Sequence, residues 1–244
     1  MGRGVRRSVG FVLVEIYSDV VCPWCYIGKR RFEAALSRLG RRDDIEVVWR
    51  PYQLDPTAPS TPSPVLDTYA RKFGRPEQAF RIIEHVTEVA AQEGLEFHLD
   101  EAQRANTFDA HRVLWLAEHE GGAALQNAVK ERLLRAYFTE ARDVGDHATL
   151  TTLASEAGMY EEQVRELLAS DKGAGEVRRE IAHGVAQGVS AVPTFVIGGG
   201  FAIPGAQDPD VFVRALERML ARSDEAAAVG AEHAVAASAK ATTR

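Results

Sequence analysis

Hydrophobic and polar positions change period in a fixed order along the chain. Residues 12–17 are mostly apolar and β-branched and predict a buried strand, and residues 45–49 predict a second one. Between them lies a helical period that begins at a Cys-Pro-Trp-Cys sequence and stops at Gly40. We expect the buried face of this helix to carry Cys25, Phe32, Leu36 and Leu39. The opposite, solvated face should carry Lys29, Arg30 and Arg38. The chain therefore opens as strand–helix–strand.

The middle of the chain is helical throughout. A proline-rich loop at residues 55–64 leads into six helical patterns, over residues 65–73, 77–93, 107–119, 123–141, 148–157 and 161–169, and no convincing strand lies among them. Glycines separate most of these patterns and serve as stop signals. Asn106, with Asp109 three residues later, predicts the N-terminal cap of the third helix.

A second α/β segment follows the helices. Residues 173–187 predict a helix, and residues 194–197 and 201–203 predict two strands joined by three glycines, with Phe201 and Ile203 in the core. Asp208 and Pro209 then begin a last amphipathic helix. Beyond Ala221 large apolar residues become rare, so residues 222–244, like residues 1–10, are expected to be disordered or at most a frayed helix.

Composition narrows the function classes. The 244 residues are 45% hydrophobic and 26% charged, as in ordinary globular proteins, and the net charge of −6 argues against nucleic-acid binding. No apolar run reaches the length of a membrane span. The basic N-terminus resembles an export signal only until Glu15 interrupts the apolar stretch that follows it, so we expect a cytoplasmic protein.

The two cysteines of the chain, Cys22 and Cys25, stand two residues apart. So short a loop stabilises a fold little, which favours a redox pair over a structural disulfide. Cys22 would lie at the helix N-terminus, where backbone N–H groups and the macrodipole lower a thiol pKa, so we expect it to attack disulfides as an exposed thiolate. Cys25, one turn further in, would resolve the mixed disulfide. A zinc site is the alternative, but one such pair supplies only two of four ligands, and we expect no metal.

Val192-Pro193 precedes the first strand of the second α/β segment. A loop proline is the simple interpretation. The functional one is a cis-proline that faces the cysteine pair, as in thioredoxin folds, where the backbone of the preceding residue binds the substrate chain.

The order of elements resembles a thioredoxin fold split by a helical domain, the arrangement of the DsbA family. Five sequence segments are similar to the FrnE-like branch of that family: SDVVCPWCYIGK at 18–29, NTFDAHR at 106–112, AYFTE at 136–140 with GD at 145–146, VPTFVI at 192–197 and GAQ at 205–207. The resemblance implies an α/β thioredoxin-fold domain of residues 11–64 and 171–221, with residues 65–170 as a helical insertion. It also implies kinship with 2-hydroxychromene-2-carboxylate isomerases, which carry serine where this chain has Cys22.

Further site residues follow from position and from this resemblance. Pro23 and Trp24 would form an apolar rim for substrate, and Tyr26 either joins that rim or packs inward. Asn106 and His111 would line a groove between the domains, with His111 close enough to Cys22 to stabilise its thiolate. Glu15, a carboxylate in an apolar strand, would shuttle the proton of Cys25, unless it faces solvent at a sheet edge.

These observations predict a cytoplasmic thiol–disulfide oxidoreductase that needs no cofactor. Its partners would be cysteine-containing proteins or glutathione as co-substrate, and the chain would be a monomer or homodimer. The alternative is a glutathione-dependent isomerase or transferase of a small aromatic or polyketide-like substrate. A binding module or chaperone with incidental cysteines is the third candidate.

Overall fold

The computed structural model describes residues 11–59, 61, 63–73 and 75–242. Its strands are β1 (Val12–Ser18), β2 (Ile45–Pro51), β3 (Ser63–Pro64), β4 (Gln103–Arg104), β5 (Thr194–Ile197) and β6 (Phe201–Pro204). Its helices are α1 (Pro23–Arg38), α2 (Val65–Phe73), α3 (Pro76–Gln92), α4 (Phe108–Phe138), α5 (His147–Glu156), α6 (Glu161–Leu168), α7 (Ala174–Ala186) and α8 (Pro209–Thr242). The predicted strands and helices are all present, with bounds that differ by a few residues.

A four-stranded sheet in the order β2-β1-β5-β6 joins the two ends of the chain. β1 runs parallel to β2 and antiparallel to β5, with Ile16 opposite both Trp49 and Phe195. Side chains alternate between the two faces of a strand, and Val12, Val14 and Ile16 are buried on the same face of β1. Because β1 is central, its carboxyl end and the turn after it are fixed on both sides.

The buried hydrophobic residues form two clusters. One cluster packs α1 and α8 against the sheet through rings such as Phe32, Phe195 and Phe212. The other fills the helical block and takes in Tyr26 and Ile27 from α1. Tyr26 is therefore a packing residue between the two segments, and only 2% of it is exposed.

The helical block departs from regular helical structure in two places: a break within α4 and a small two-stranded sheet. Gly122 interrupts α4 with φ 65° and ψ −164°, so the two helices predicted on either side of it follow one another across a kink. β3 and β4 pair antiparallel, so the prediction of no strand between residues 65 and 169 was wrong for Gln103–Arg104. Two-residue strands carry no periodicity from which a sequence could reveal them.

Three other expectations need correction, and a fourth concerns residues outside the described part of the chain. α8 extends to Thr242, because the alanine-rich tail has high intrinsic helix propensity. Phe201 is 47% exposed rather than in the core, whereas Ile203 is buried. Lys29 is buried and forms ion pairs instead of facing solvent. The prediction for residues 1–10 lies outside the described residues. Within the described part of the chain, no helix combines the length and apolarity needed to cross a bilayer.

Candidate active site

The cysteine pair lies at the junction between the end of β1 and the start of α1. β1 ends at Ser18, Cys22 is the N-cap of α1, and Pro23 occupies its first turn, where the missing N–H leaves no hydrogen bond unmade. Cys22 has extended backbone geometry, and its carbonyl accepts the N–H of Cys25 at 3.0 Å. The predicted start of the helix at the cysteine pair is confirmed.

Both thiols are reduced and buried, with 3% of Cys22 and 1% of Cys25 exposed. The expectation that Cys22 is an exposed sulfur was wrong, because the segment around Val192 covers it. The Cys22 Sγ donates to the Val192 carbonyl oxygen over 3.6 Å, and the Val192–Pro193 peptide is cis, as predicted. The structure thus brings together predicted site residues that lie about 170 positions apart in the sequence: Cys22 and Cys25 on one side, and Val192 and Pro193 on the other.

The two thiols interact and titrate as a pair. The interaction with Cys25, together with burial, raises the pKa of Cys22. Burial opposes ionisation of Cys25, but the interaction with Cys22 and the positive charge of Lys130 outweigh it and lower the pKa of Cys25. The pair therefore loses its first proton more readily from Cys25, whereas the sequence had predicted the lowered pKa for Cys22.

Asp19 anchors the turn that carries Cys22. Its carboxylate accepts backbone N–H groups from Val20 and Leu54, each at 2.8 Å, and lies 3.3 Å from Nε2 of His111. His111 Nε2 is also 3.0 Å from the carbonyl oxygen of Tyr52, so both neighbours are acceptors and Nε2 must be the donor. His111 is 2% exposed and acts on this turn rather than lining the groove that Cys22 faces.

Sequence reasoning missed Lys130, which lies on α4 and is completely buried. Burial lowers the pKa of Lys130 to about 8, against the opposing charges of Cys25, Asp19 and Cys22. A polar residue on the apolar face that α4 turns inward, between Val129 and Leu133, was the signal that could have found it.

A groove of about 750 Å³ opens beside Cys22. Its lining is mainly apolar and comes from the turn before α1, from α1 to α3 and from α4; it includes Cys22, Pro23, Trp24, Tyr69, Ile82, Tyr137 and Val192. Cys25 is not part of this lining, so Cys22 is the sulfur that faces the groove. Trp24 is 39% exposed, as expected for a rim residue, and its ring lies 6.5 Å from that of His85.

Asn106 and Glu15 lie away from this groove. Asn106 Oδ1 accepts the N–H of Phe108 at 3.0 Å, and its amide donates to the Ala58 carbonyl at 2.9 Å. It therefore ties the loop before α4 to the proline-rich segment, while Thr107 takes the N-cap position that was predicted for Asn106. Glu15 accepts a hydrogen bond from Arg50 at 2.8 Å and lines a different cavity, so the structure pairs it with a guanidinium rather than with Cys25.

Comparisons with known proteins agree with this geometry. The chain matches the model of the DSBA-like thioredoxin domain over residues 13–217. It is 30% identical over 207 residues to the uncharacterized protein YwbO of Bacillus subtilis (strain 168). The matched region covers 84% of this chain and 96% of that protein. The crystal structure of a probable DsbA oxidoreductase from Streptomyces coelicolor is similar with a TM-score of 0.80 and 38% identity, over 85% of this chain and 89% of that one.

Two more distant structures share the fold. The cytosolic disulfide reductase DsbM from Pseudomonas aeruginosa has a TM-score of 0.61 at 20% identity, over 85% of this chain and 98% of that one. A 2-hydroxychromene-2-carboxylate isomerase has a TM-score of 0.62 at 15% identity, over 87% and 98%. The predicted α/β thioredoxin fold with a helical region in the middle of the chain is confirmed. The two cysteines stand two residues apart at the N-terminus of α1, with the cis-proline Pro193 next to them, and the family model matches most of the sequence. The chain belongs to the DSBA-like thioredoxin domain family.

Proposed function

We propose that the protein is a cytoplasmic thiol–disulfide oxidoreductase that works through Cys22 and Cys25 without a cofactor. The observation that carries this proposal is the different access of the two thiols. Cys22 lines an open groove and Cys25 lies behind it, as an attacking and a resolving sulfur must. The cytosolic disulfide reductase of similar fold supports the compartment.

The exchange takes two steps. After the pair loses one proton to solvent, its remaining proton moves from Cys22 to Cys25, and the Cys22 thiolate attacks one sulfur of a substrate disulfide, forming a mixed disulfide while the other substrate sulfur leaves as a thiolate and takes a proton from solvent. Cys25 then loses its proton and attacks the Cys22 sulfur, which releases the second substrate thiol. The substrate gains two electrons and two protons, and the protein becomes the Cys22–Cys25 disulfide. The reverse sequence oxidises a substrate dithiol.

The backbone beside Cys22 supports the binding of an extended substrate segment. The Val192 carbonyl accepts the Cys22 thiol in the reduced protein and lies in the groove lining with Trp24. When Cys22 becomes bonded to substrate sulfur, this carbonyl loses its donor and is available to a backbone N–H of the substrate. Cysteine-containing proteins, or glutathione as co-substrate, can supply that N–H.

Trapping of mixed disulfides tests the proposal. A Cys25→Ala protein, incubated with cell extract, should retain partners joined to Cys22, because nothing resolves the first intermediate. The Cys22→Ala protein is the matched control, since its remaining sulfur is buried and does not face the groove. Partners that are released by reducing agent and identified as proteins support the proposal. Equal yields from the two variants would contradict it.

The size of the groove favours a second candidate, a glutathione-dependent isomerase or transferase of a small aromatic substrate. About 750 Å³ of mainly apolar space is typical of small-molecule sites, and an isomerase of such substrates shares the fold. Isomerisation has no need of a resolving thiol. A Cys25→Ser variant that keeps turnover would favour this candidate, and loss of catalytic turnover with retention of the first exchange step would favour the oxidoreductase.

A further inference from the structure

Gly28 allows the segment that carries Val192 to lie directly against α1. It is buried and its backbone is ordinary α-helix, so no unusual φ calls for a glycine here. A Cβ at position 28 would lie 3.0 Å from Pro193 Cγ and 3.4 Å from Ala206 Cβ. The first distance is shorter than an ordinary van der Waals contact, so Pro193 would have to move outward by a few tenths of an ångström. The glycine therefore sets how closely this segment approaches the helix.

Arg31, one turn after Gly28, ties a second part of the same region to α1. Its Nη1 donates to the Ala206 carbonyl oxygen at 2.7 Å, and its Nε donates to Glu93 Oε1 at 2.7 Å. Glu93 is the C-cap of α3, a helix that lines the groove through residues such as His85. Arg31 thus links the loop at Ala206 both to α1 and to a wall of the groove.

The loop at Ala206 and the segment at Val192 belong to one unit, the β5–β6 hairpin. The Gly205 N–H donates to the Pro193 carbonyl oxygen at 2.7 Å and closes the end of the hairpin that faces α1. A shift of the loop is therefore passed on to Val192. The Val192 carbonyl oxygen accepts the Cys22 thiol over 3.6 Å, so this shift changes the position of the carbonyl relative to the reacting sulfur.

Building on the proposed function, we propose that Gly28 and Arg31 are positioning residues that make the site select peptide disulfides over small disulfides. Neither residue lines the groove. Together they hold the Val192 carbonyl where it can accept a backbone N–H of a peptide whose cysteine is bonded to Cys22. A small disulfide without a peptide backbone has no such N–H and gains nothing from the position of this carbonyl.

The test compares two disulfides on the same reduced protein. One is the disulfide-linked dimer of a capped pentapeptide with a central cysteine between alanines, and the other is bis(2-hydroxyethyl) disulfide. Formation of the Cys22–Cys25 disulfide is followed by mass spectrometry after acid quench, which gives a second-order rate constant for each substrate. Both substrates react with the same thiolate, so a change in thiol reactivity cancels in the ratio of the peptide rate to the small-disulfide rate.

Gly28→Ala and Arg31→Met should each lower this ratio about three- to tenfold, which is the effect of weakening one hydrogen bond. Gly40→Ala and Arg38→Met are the matched controls on the same helix and the residues after it. No atom of the described residues would lie within 4 Å of a Cβ at position 40, and Arg38 pairs with Asp210 at 2.6 Å, outside the groove. Both controls should keep the native ratio.

A native ratio in either Gly28→Ala or Arg31→Met would overturn the proposal, as would an equal fall of both rates or the same fall in the controls. If Gly28→Ala does not fold, Arg31→Met decides alone, because the Arg31 side chain is 21% exposed and fills no part of the hydrophobic core. Failure of the proposed function is a separate result: the native protein would then exchange with neither disulfide.

Discussion

Replacing His111 by leucine should cost about 2–3 kcal/mol of unfolding free energy, because it leaves a buried carboxylate short of one donor. Asp19 is 0% exposed and His111 is 2% exposed. Removing one member of a buried ion pair costs about 3–5 kcal/mol, and one hydrogen bond to a charged group is worth about 1.5–3 kcal/mol. The smaller of these two values applies to Asp19. It keeps its two shorter hydrogen bonds, from Val20 and Leu54 at 2.8 Å, and loses only the one at 3.3 Å.

The same pair makes stability depend on acid. Although burial opposes it, the hydrogen bonds from His111 and Leu54 hold the pKa of Asp19 below its ordinary value of 3.8. Folded Asp19 therefore binds fewer protons than unfolded Asp19 just below that pH. Its contribution to stability is complete above the ordinary pKa and is lost as pH falls through the folded pKa. Removing His111 should make the stability of the protein less sensitive to acid in this window.

Urea unfolding of the reduced protein at neutral and acid pH measures both effects. His111→Gln is the matched control, since its amide keeps a donor and should lose less than the leucine variant. A double-mutant cycle with Asp19→Asn should give a coupling free energy of about 1–3 kcal/mol. A loss below about 0.5 kcal/mol for His111→Leu, with no coupling to Asp19, would refute the reasoning.

Two further substitutions test the surroundings of the sheet. Gly184→Ala should destabilise the protein by about 1–2 kcal/mol in urea unfolding, because an added Cβ would lie 2.4 Å from Tyr17 Cε1 and overpacking outweighs the gain in helix propensity; native-like stability would show that the ring moves aside freely. Glu15→Gln should leave the thiol titration unchanged, because Glu15 binds Arg50, and a lowered midpoint for Cys25 in that variant would instead show that the Glu15 carboxylate acts on Cys25, as a proton shuttle requires.

Local patterns were enough to predict the framework and the reactive pair. The apolar, β-branched runs and the helical periods predicted the strands and helices of the sheet domain, and Cys22-Pro23 predicted where α1 begins. Val192-Pro193, found through its place before a strand, lies against Cys22 as expected. These features depend on neighbours in sequence or on the order of elements, so a single sequence contains them.

What the sequence did not predict depends on which side chains the fold turns toward each other. The burial of Lys130 beside Trp49 requires α4 to pack on β2 in one rotation, and no local pattern fixes that rotation. His111 was expected in the groove but faces Asp19, because both are buried at the turn before Cys22. The burial of Cys22 likewise comes from a distant segment, at Val192.

Timed alkylation of the reduced protein over a range of pH, with the modified sulfur identified by mass spectrometry, tests most directly whether Cys22 is the reacting sulfur. Alkylation should occur at Cys22, which faces the groove, and its rate should rise with a midpoint below the ordinary thiol value of 9.0, since the pair loses its first proton easily. Modification mainly at Cys25, or a rate at neutral pH no greater than that of a free cysteine, would contradict the proposed chemistry.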